Sequence, residues 1–142
     1  MAAPASRAPR PSLRFHPAWP SDCETSDVSI AAPIATAGNE LRVFAPDDAG
    51  GLALAARAAS GGGLGSQGAL ALSGDGRFVF VVNAGSPTVS TFALGGRSLE
   101  FVSSVDAGGP HSISVTERDG IVVVLNDGGA GNMAAFRNLD GQ

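Results

Sequence analysis

With 142 residues the chain has room for one domain of ordinary size. All nine basic residues are arginine, and a net charge of −4 supplies none of the basic field that nucleic acid binding requires. No apolar run approaches the ~18 residues needed to cross a bilayer, and the single cysteine, Cys23, excludes an internal disulfide.

Residues 1–27 carry five prolines (Pro4, Pro9, Pro11, Pro17 and Pro20) together with Arg7, Arg10 and Arg14. Prolines at that density forbid the amphipathic helix of a transit peptide. The stretch also lacks the 7–15-residue apolar core of a secretory signal. It is expected to be a disordered tail outside the domain, and a cytoplasmic location is the default.

From Val28 the pattern changes to short segments rich in Val, Phe, Leu and Ile, separated by Gly, Asp, Asn and Pro. Strands are predicted at 28–35, 39–45, 51–58, 68–73, 78–83, 88–94, 99–106, 111–116, 121–126 and 132–137. Gly74-Asp75-Gly76 and Asp119-Gly120 are strong hairpin signals, because glycine tolerates positive φ. Gly50-Gly51 and Gly95-Gly96 act similarly. No longer segment holds a helical period without a Gly or Pro interrupting it, so the chain reads as all-β.

The segments repeat. Phe78-Val79-Phe80-Val81-Val82-Asn83 returns 43 positions later as Ile121-Val122-Val123-Val124-Leu125-Asn126. Each is followed by a glycine-containing loop and a strand ending in phenylalanine, Thr88–Phe92 and then Asn132–Phe136. Glu40–Phe44 is a weaker earlier copy. Upstream, Ala69–Ser73 matches Ser112–Thr116. Four short strands in roughly 40–45 residues is the arithmetic of a propeller blade.

Two stretches carry a family resemblance. Ser73-Gly74-Asp75-Gly76-Arg77-Phe78-Val79-Phe80-Val81-Val82-Asn83-Ala84-Gly85-Ser86, followed by Val89-Ser90-Thr91-Phe92, resembles the blade consensus of the lactonase-type β-propeller family. That family comprises relatives of bacterial 6-phosphogluconolactonase and of the fungal carboxymuconate-lactonising enzyme. Gly109-Pro110-His111-Ser112-Ile113 is similar to the entry into the family's next blade.

The resemblance spans residues 38–137 and implies a partial β-propeller of four-stranded antiparallel blades over residues 28–142. In its phase, 68–106 is a complete blade, 28–58 a blade lacking its innermost strand, and 111–137 a blade lacking its outermost. That is about two and a half blades, against roughly 4–8 in a closed ring and seven in this family. Ala32-Pro33-Ile34-Ala35 departs from the expected aromatic-rich strand, and its proline removes a ladder hydrogen bond. The uncovered flanks of the outer blades are expected to drive self-association.

The same phase collects four loops on one rim: Ser60–Gln67, Ala84–Pro87, Ala107–Pro110 and Asp127–Gly131. Gln67, Asn83, Asn126 and His111 fall at the strand ends beside them. The family places its site at this channel mouth, so the resemblance implies lactone hydrolysis there, on a sugar lactone such as 6-phosphogluconolactone. Such a pocket needs donors to polarise a carbonyl and a base to activate water. His111 is the candidate general base, since histidine titrates nearest neutrality. Gln67, Asn83 and Asn126 are the candidate substrate-binding donors; the simpler reading of both asparagines is as strand-terminating turn residues. Arg77 and Arg118 fall on the opposite rim, as solvated charges. The Arg and Glu of the family's reactive channel would come largely from blades beyond these.

Gly63-Leu64-Gly65-Ser66-Gln67-Gly68 spells a dinucleotide fingerprint, but a short strand follows it where a helix is required. Asp127–Asn132 offers two side-chain oxygens where calcium takes 6–8 ligands. Two dispersed histidines and one cysteine cannot build a zinc site, and no G-x-S-x-G elbow is present. No metal or cofactor is called for. The expected partners are a small-molecule lactone or a second copy of the chain, with no nucleic acid and no membrane. The alternatives to an enzyme are a non-catalytic propeller-type scaffold, or a non-functional fragment of a longer lactonase-like protein.

Overall fold

The computed structural model describes residues 28–31, 40–61 and 68–141. The expectations for the tail 1–27, for strand residues 32–35 and for Gln67 lie outside the described residues.

The described residues form ten strands and no helix. They are β1 (Ser29–Ala31), β2 (Glu40–Pro46), β3 (Leu52–Ala59), β4 (Leu70–Leu72), β5 (Phe78–Asn83), β6 (Thr88–Gly95), β7 (Ser98–Asp106), β8 (Ser112–Arg118), β9 (Ile121–Asn126) and β10 (Asn132–Arg137). They hydrogen-bond in chain order into three antiparallel sheets, β1-β2-β3, β4-β5-β6-β7 and β8-β9-β10. The architecture is all-β, with propeller-like blades of three or four strands.

Turn chemistry sets the hairpins. Asp119 and Gly120 both have positive φ (53° and 77°), the requirement of a two-residue turn whose twist matches its strands. Gly76 at φ 73° closes the turn from β4 to β5, where Ser73 Oγ accepts from the Phe78 amide at 2.9 Å and donates to Asp75 at 2.6 Å. Both outer hairpins carry the same irregularity, a register shift at Val43/Phe44 between β2 and β3 and at Thr91/Phe92 between β6 and β7. In each the shift falls beside a phenylalanine, Phe44 in one and Phe92 in the other.

Several predicted boundaries move by one residue, and two strands change more. Strand β4 keeps only three residues, because the Gly68 carbonyl turns away to accept from the Val115 amide at 2.8 Å, bridging the second and third sheets. Strand β8 starts at Ser112 rather than at His111, whose φ of 56° takes it out of the ladder, and runs on to Arg118.

The core lies between the sheets. Every residue of β5 is buried, its two faces covered by the flanking sheets. Leu41 approaches from the first sheet, and Val122 and Val124 from the third. Phe92 is fully buried and meets Phe101 edge to face, with centroids 5.6 Å apart. Each such side chain contributes about 1.5–3 kcal/mol on burial, whereas the alanines of β3 contribute little. Phe92→Ala is expected to lower stability by about 3–5 kcal/mol, read as the shift in urea midpoint followed by far-UV circular dichroism.

Candidate functional site

The strand ends beside β5 and β9 gather the rim predicted to hold a site, and hydrogen bonds fasten its loops to one another. Asn83 closes β5 and is buried; its amide donates to Thr88 Oγ1 at 3.1 Å and to Ser90 Oγ at 2.9 Å. Ser90 in turn donates to the carbonyl of Ser60, at the end of the first sheet, at 3.1 Å. One blade further on, Asn126 closes β9, fully buried, and donates straight to the carbonyl of Ala107 at 3.0 Å. The Ala107 amide reaches back to the carbonyl of Pro87 at 2.9 Å. Strand-end side chains thus grasp the chain as it leaves the preceding blade. Their amides are committed to the protein, so the two asparagines shape the rim rather than offer donors on its surface.

Above Asn126 the segment Ala107–His111 lies tightly on the loop after β9. A Cβ on Gly108, at φ 75°, would come 2.6 Å from the Cβ of Ala134, and one on Gly109 would collide with Asn132 Oδ1. Asn132 fixes the segment by donating to the Gly108 carbonyl at 2.8 Å. The Gly128 amide donates to the Pro110 carbonyl and the Asp127 amide to the His111 carbonyl, at 3.2 and 3.1 Å.

These contacts bring His111 and Asp127 together. His111 Nδ1 is hydrogen-bonded to Asp127 Oδ1, with both side chains about half exposed. In the neutral imidazole a proton on Nδ1 leaves Nε2 as an acceptor, and a carboxylate at Nδ1 selects that tautomer. Asp127 is a residue that sequence reasoning weighed only as a calcium ligand. Counting the β8–β9 ladder outward from the Asp119-Gly120 turn places Asp127 opposite Ser112; the register shift between Ser112 and Ser114 moves the pairing by one residue and brings Asp127 to His111. Ser112 Oγ, Asn126 Oδ1 and Asn83 Oδ1 lie buried beneath the rim without hydrogen-bond partners. An open depression of about 470 Å³ borders the same loop, lined by Asn126, Asp127 and Gly129–Met133.

The opposite rim holds the turns at Gly76 and Gly120. Arg77 pairs with Asp75 at 2.7 Å and with Asp140 at 3.5 Å, and Arg118 lies 3.6 Å from Asp119. All these groups are substantially exposed. Hydrogen bonds from Ser73 and Arg77 hold the Asp75 carboxyl down to about 2. Among the described residues, no group of three or more His, Cys, Asp and Glu side chains is placed to hold a metal ion, and no helix is long and apolar enough to cross a membrane.

A fold of antiparallel propeller-type blades with a histidine-bearing rim is the class of protein these observations define. No family model matches the chain, and no curated protein matches it. Among solved structures it is similar to a protein from Bacteroides fragilis described as a "putative 6-phosphogluconolactonase". The TM-score is 0.61 at 22% identity over 82% of this chain, and the match spans 34% of that protein. The likeness establishes a shared fold, with this chain corresponding to about a third of the length of its neighbour.

Two outcomes follow from the rims. Asn126→Asp replaces the donor to Ala107 with an acceptor and is expected to cost about 1–3 kcal/mol at neutral pH. Thermal melts should show part of that loss recovered in acid, where a protonated carboxyl donates again. At the opposite rim, the contribution of Asp75 is complete above its ordinary value of 3.8 and lost as pH falls through about 2. Asp75→Asn should therefore flatten the decline in melting temperature across that window and leave the profile above it parallel to the wild type.

Proposed function

We propose that the chain is a lactonase-type propeller protein that hydrolyses a sugar lactone at the His111 rim, with His111 as general base. The observation that carries this reading is the hydrogen bond from His111 Nδ1 to the Asp127 carboxylate. It is the arrangement a water-activating histidine needs, with one nitrogen fixed by a carboxylate and the other turned toward a reactant. The family resemblance of residues 38–137 and the shared fold support lactone chemistry as the reaction class.

In this scheme Nε2 of His111 takes a proton from water as its oxygen attacks the lactone carbonyl. The tetrahedral intermediate collapses by breaking the ring C–O bond, and the imidazolium returns the proton to the departing alkoxide. Asp127 is a positioning residue: it holds the ring and stabilises the imidazolium that forms between the two transfers. Asn126, through Ala107, and Asn132, through Gly108, hold the segment that ends in His111.

A second reading, a non-catalytic scaffold binding a partner on these rim loops, draws on the committed amides of Asn83 and Asn126. Kinetics separate the two. Hydrolysis of gluconolactone and of 6-phosphogluconolactone by the purified chain is compared with that by His111→Ala and Asp127→Asn. Proton transfer by a positioned side chain contributes about 10²–10⁴-fold, so His111→Ala should lose at least about a hundredfold in kcat. Asp127→Asn should lose less, with KM little changed. Equal turnover by the wild type and His111→Ala would remove the catalytic reading and leave the scaffold.

A further inference from the structure

The two end sheets present outward faces whose equivalents inside the chain are covered. On the third sheet the outward face is formed by Ile121, Val123 and Leu125 of β9, paired with Arg137, Ala135 and Met133 of β10. The repeat equates these β9 residues with Phe78, Phe80 and Val82 of β5, which are only 8%, 2% and 0% exposed, covered by the third sheet and, at Phe78, by the segment at Gly141 that follows it. Leu125 is 41% exposed and Met133 74%.

On the first sheet the outward face carries Arg42 and Phe44, with Leu54 opposite Phe44. Their equivalents in β6 are Ser90 and Phe92, buried against the first sheet. One outward face therefore has the character of a sheet awaiting its successor, and the other that of a sheet awaiting its predecessor. The same chain contains both.

Charge agrees with that pairing. Strand β10 ends at the exposed Arg137 on the rim of the Asp119-Gly120 turn, where Arg118 at the end of β8 lies 3.6 Å from Asp119. Strand β2 ends on the corresponding rim at the exposed Asp47 and Asp48. Within the chain, this rim already links neighbouring sheets through polar groups: the Gly74 amide donates to Glu117 at 2.7 Å and Arg77 pairs with Asp140.

We propose that two copies of the chain associate head to tail, the outward face of the third sheet in each copy seated on the outward face of the first sheet in the other. Two copies bring six sheets, within the roughly 4–8 blades of a closed propeller. A head-to-tail contact that closes gives a finite ring. The proposal rests on the fold and its repeat, not on the lactonase reading.

The test follows from having two different faces. Size-exclusion chromatography with light scattering on the full chain should give a discrete dimer at micromolar concentration. Leu125→Asp spoils one face and Leu54→Asp the other; each variant alone should run as a monomer, its dissociation constant raised at least tenfold. Mixed, the two should form a one-to-one pair, because one interface joins the intact first sheet of the first variant to the intact third sheet of the second. Both sites are exposed, and far-UV circular dichroism checks that each variant keeps its β-sheet signal. A monomeric or indiscriminately aggregated wild type overturns the proposal. So do single variants that stay dimeric, and so does a mixture that fails to pair.

Discussion

A sheet that is apolar on both faces must be covered twice, and β5 is such a strand. All six of its residues are buried, from Phe78 to Asn83. Valine and phenylalanine on alternate sides leave it no solvent face, so β5 holds its place only while the first and third sheets flank it. This stacking requirement orders the rest of the structure. It puts Leu41 on one side of the central sheet and Val122 and Val124 on the other, and it aligns the strand ends into rims. The stabilising area is lateral, between blades, rather than within any one sheet, as in other repeat architectures.

Because the blades are held by apolar side chains without strong directionality, the relative height of their ends needs a separate device. At the His111 rim that device is polar. Asn83, at the end of β5, donates to Ser90 within β6, which in turn donates to the carbonyl of Ser60, whereas Asn126, at the end of β9, donates directly to the carbonyl of Ala107. The candidate base stands on the second of these junctions. Its ring is oriented by Asp127, and its backbone by the same hydrogen bonds that fasten the loops. The candidate site and blade alignment therefore share their supports, and a residue such as Asn126 bears on the position of His111 without contacting it.

Much of the fold was legible because its signals are local. The Asp119-Gly120 turn, the Gly74-Asp75-Gly76 turn and the alternation of β-branched residues with turn residues each act over a few positions, and the strands between them fall close to the predicted spans. The repeat of Phe78–Asn83 as Ile121–Asn126 gave the blade phase. What escaped was non-local or depended on backbone sign. Nothing in His111 itself announces a left-handed conformation, so β8 was drawn one residue early. The bulges beside Phe44 and Phe92 arise from the fit of two strands and have no marker in either. The His111–Asp127 contact joins residues on separate loops, and it depends on the register shift between Ser112 and Ser114, which a ladder counted from the turn does not give. The inward commitment of Asn83 and Asn126 depends on loops contributed by neighbouring blades, which no single segment encodes.

The two glycines that precede Pro110 follow the buried Ala107 at the edge of the apolar core, and they are as confined as any core residue. Gly108 combines a left-handed backbone with Ala134 against its Cα, and Gly109 faces the amides of Asn126 and Asn132. Any side chain at either position must displace an amide or a strand residue before the loop can lie down. Over evolutionary time such positions cannot drift singly. A larger residue at 108 demands loss of the methyl group at 134 as well as a backbone that accepts it, and a larger residue at 109 demands smaller partners at both 126 and 132. Change along this rim is thereby restricted to coordinated sets of substitutions, whereas the exposed residues of β3 meet no such close packing.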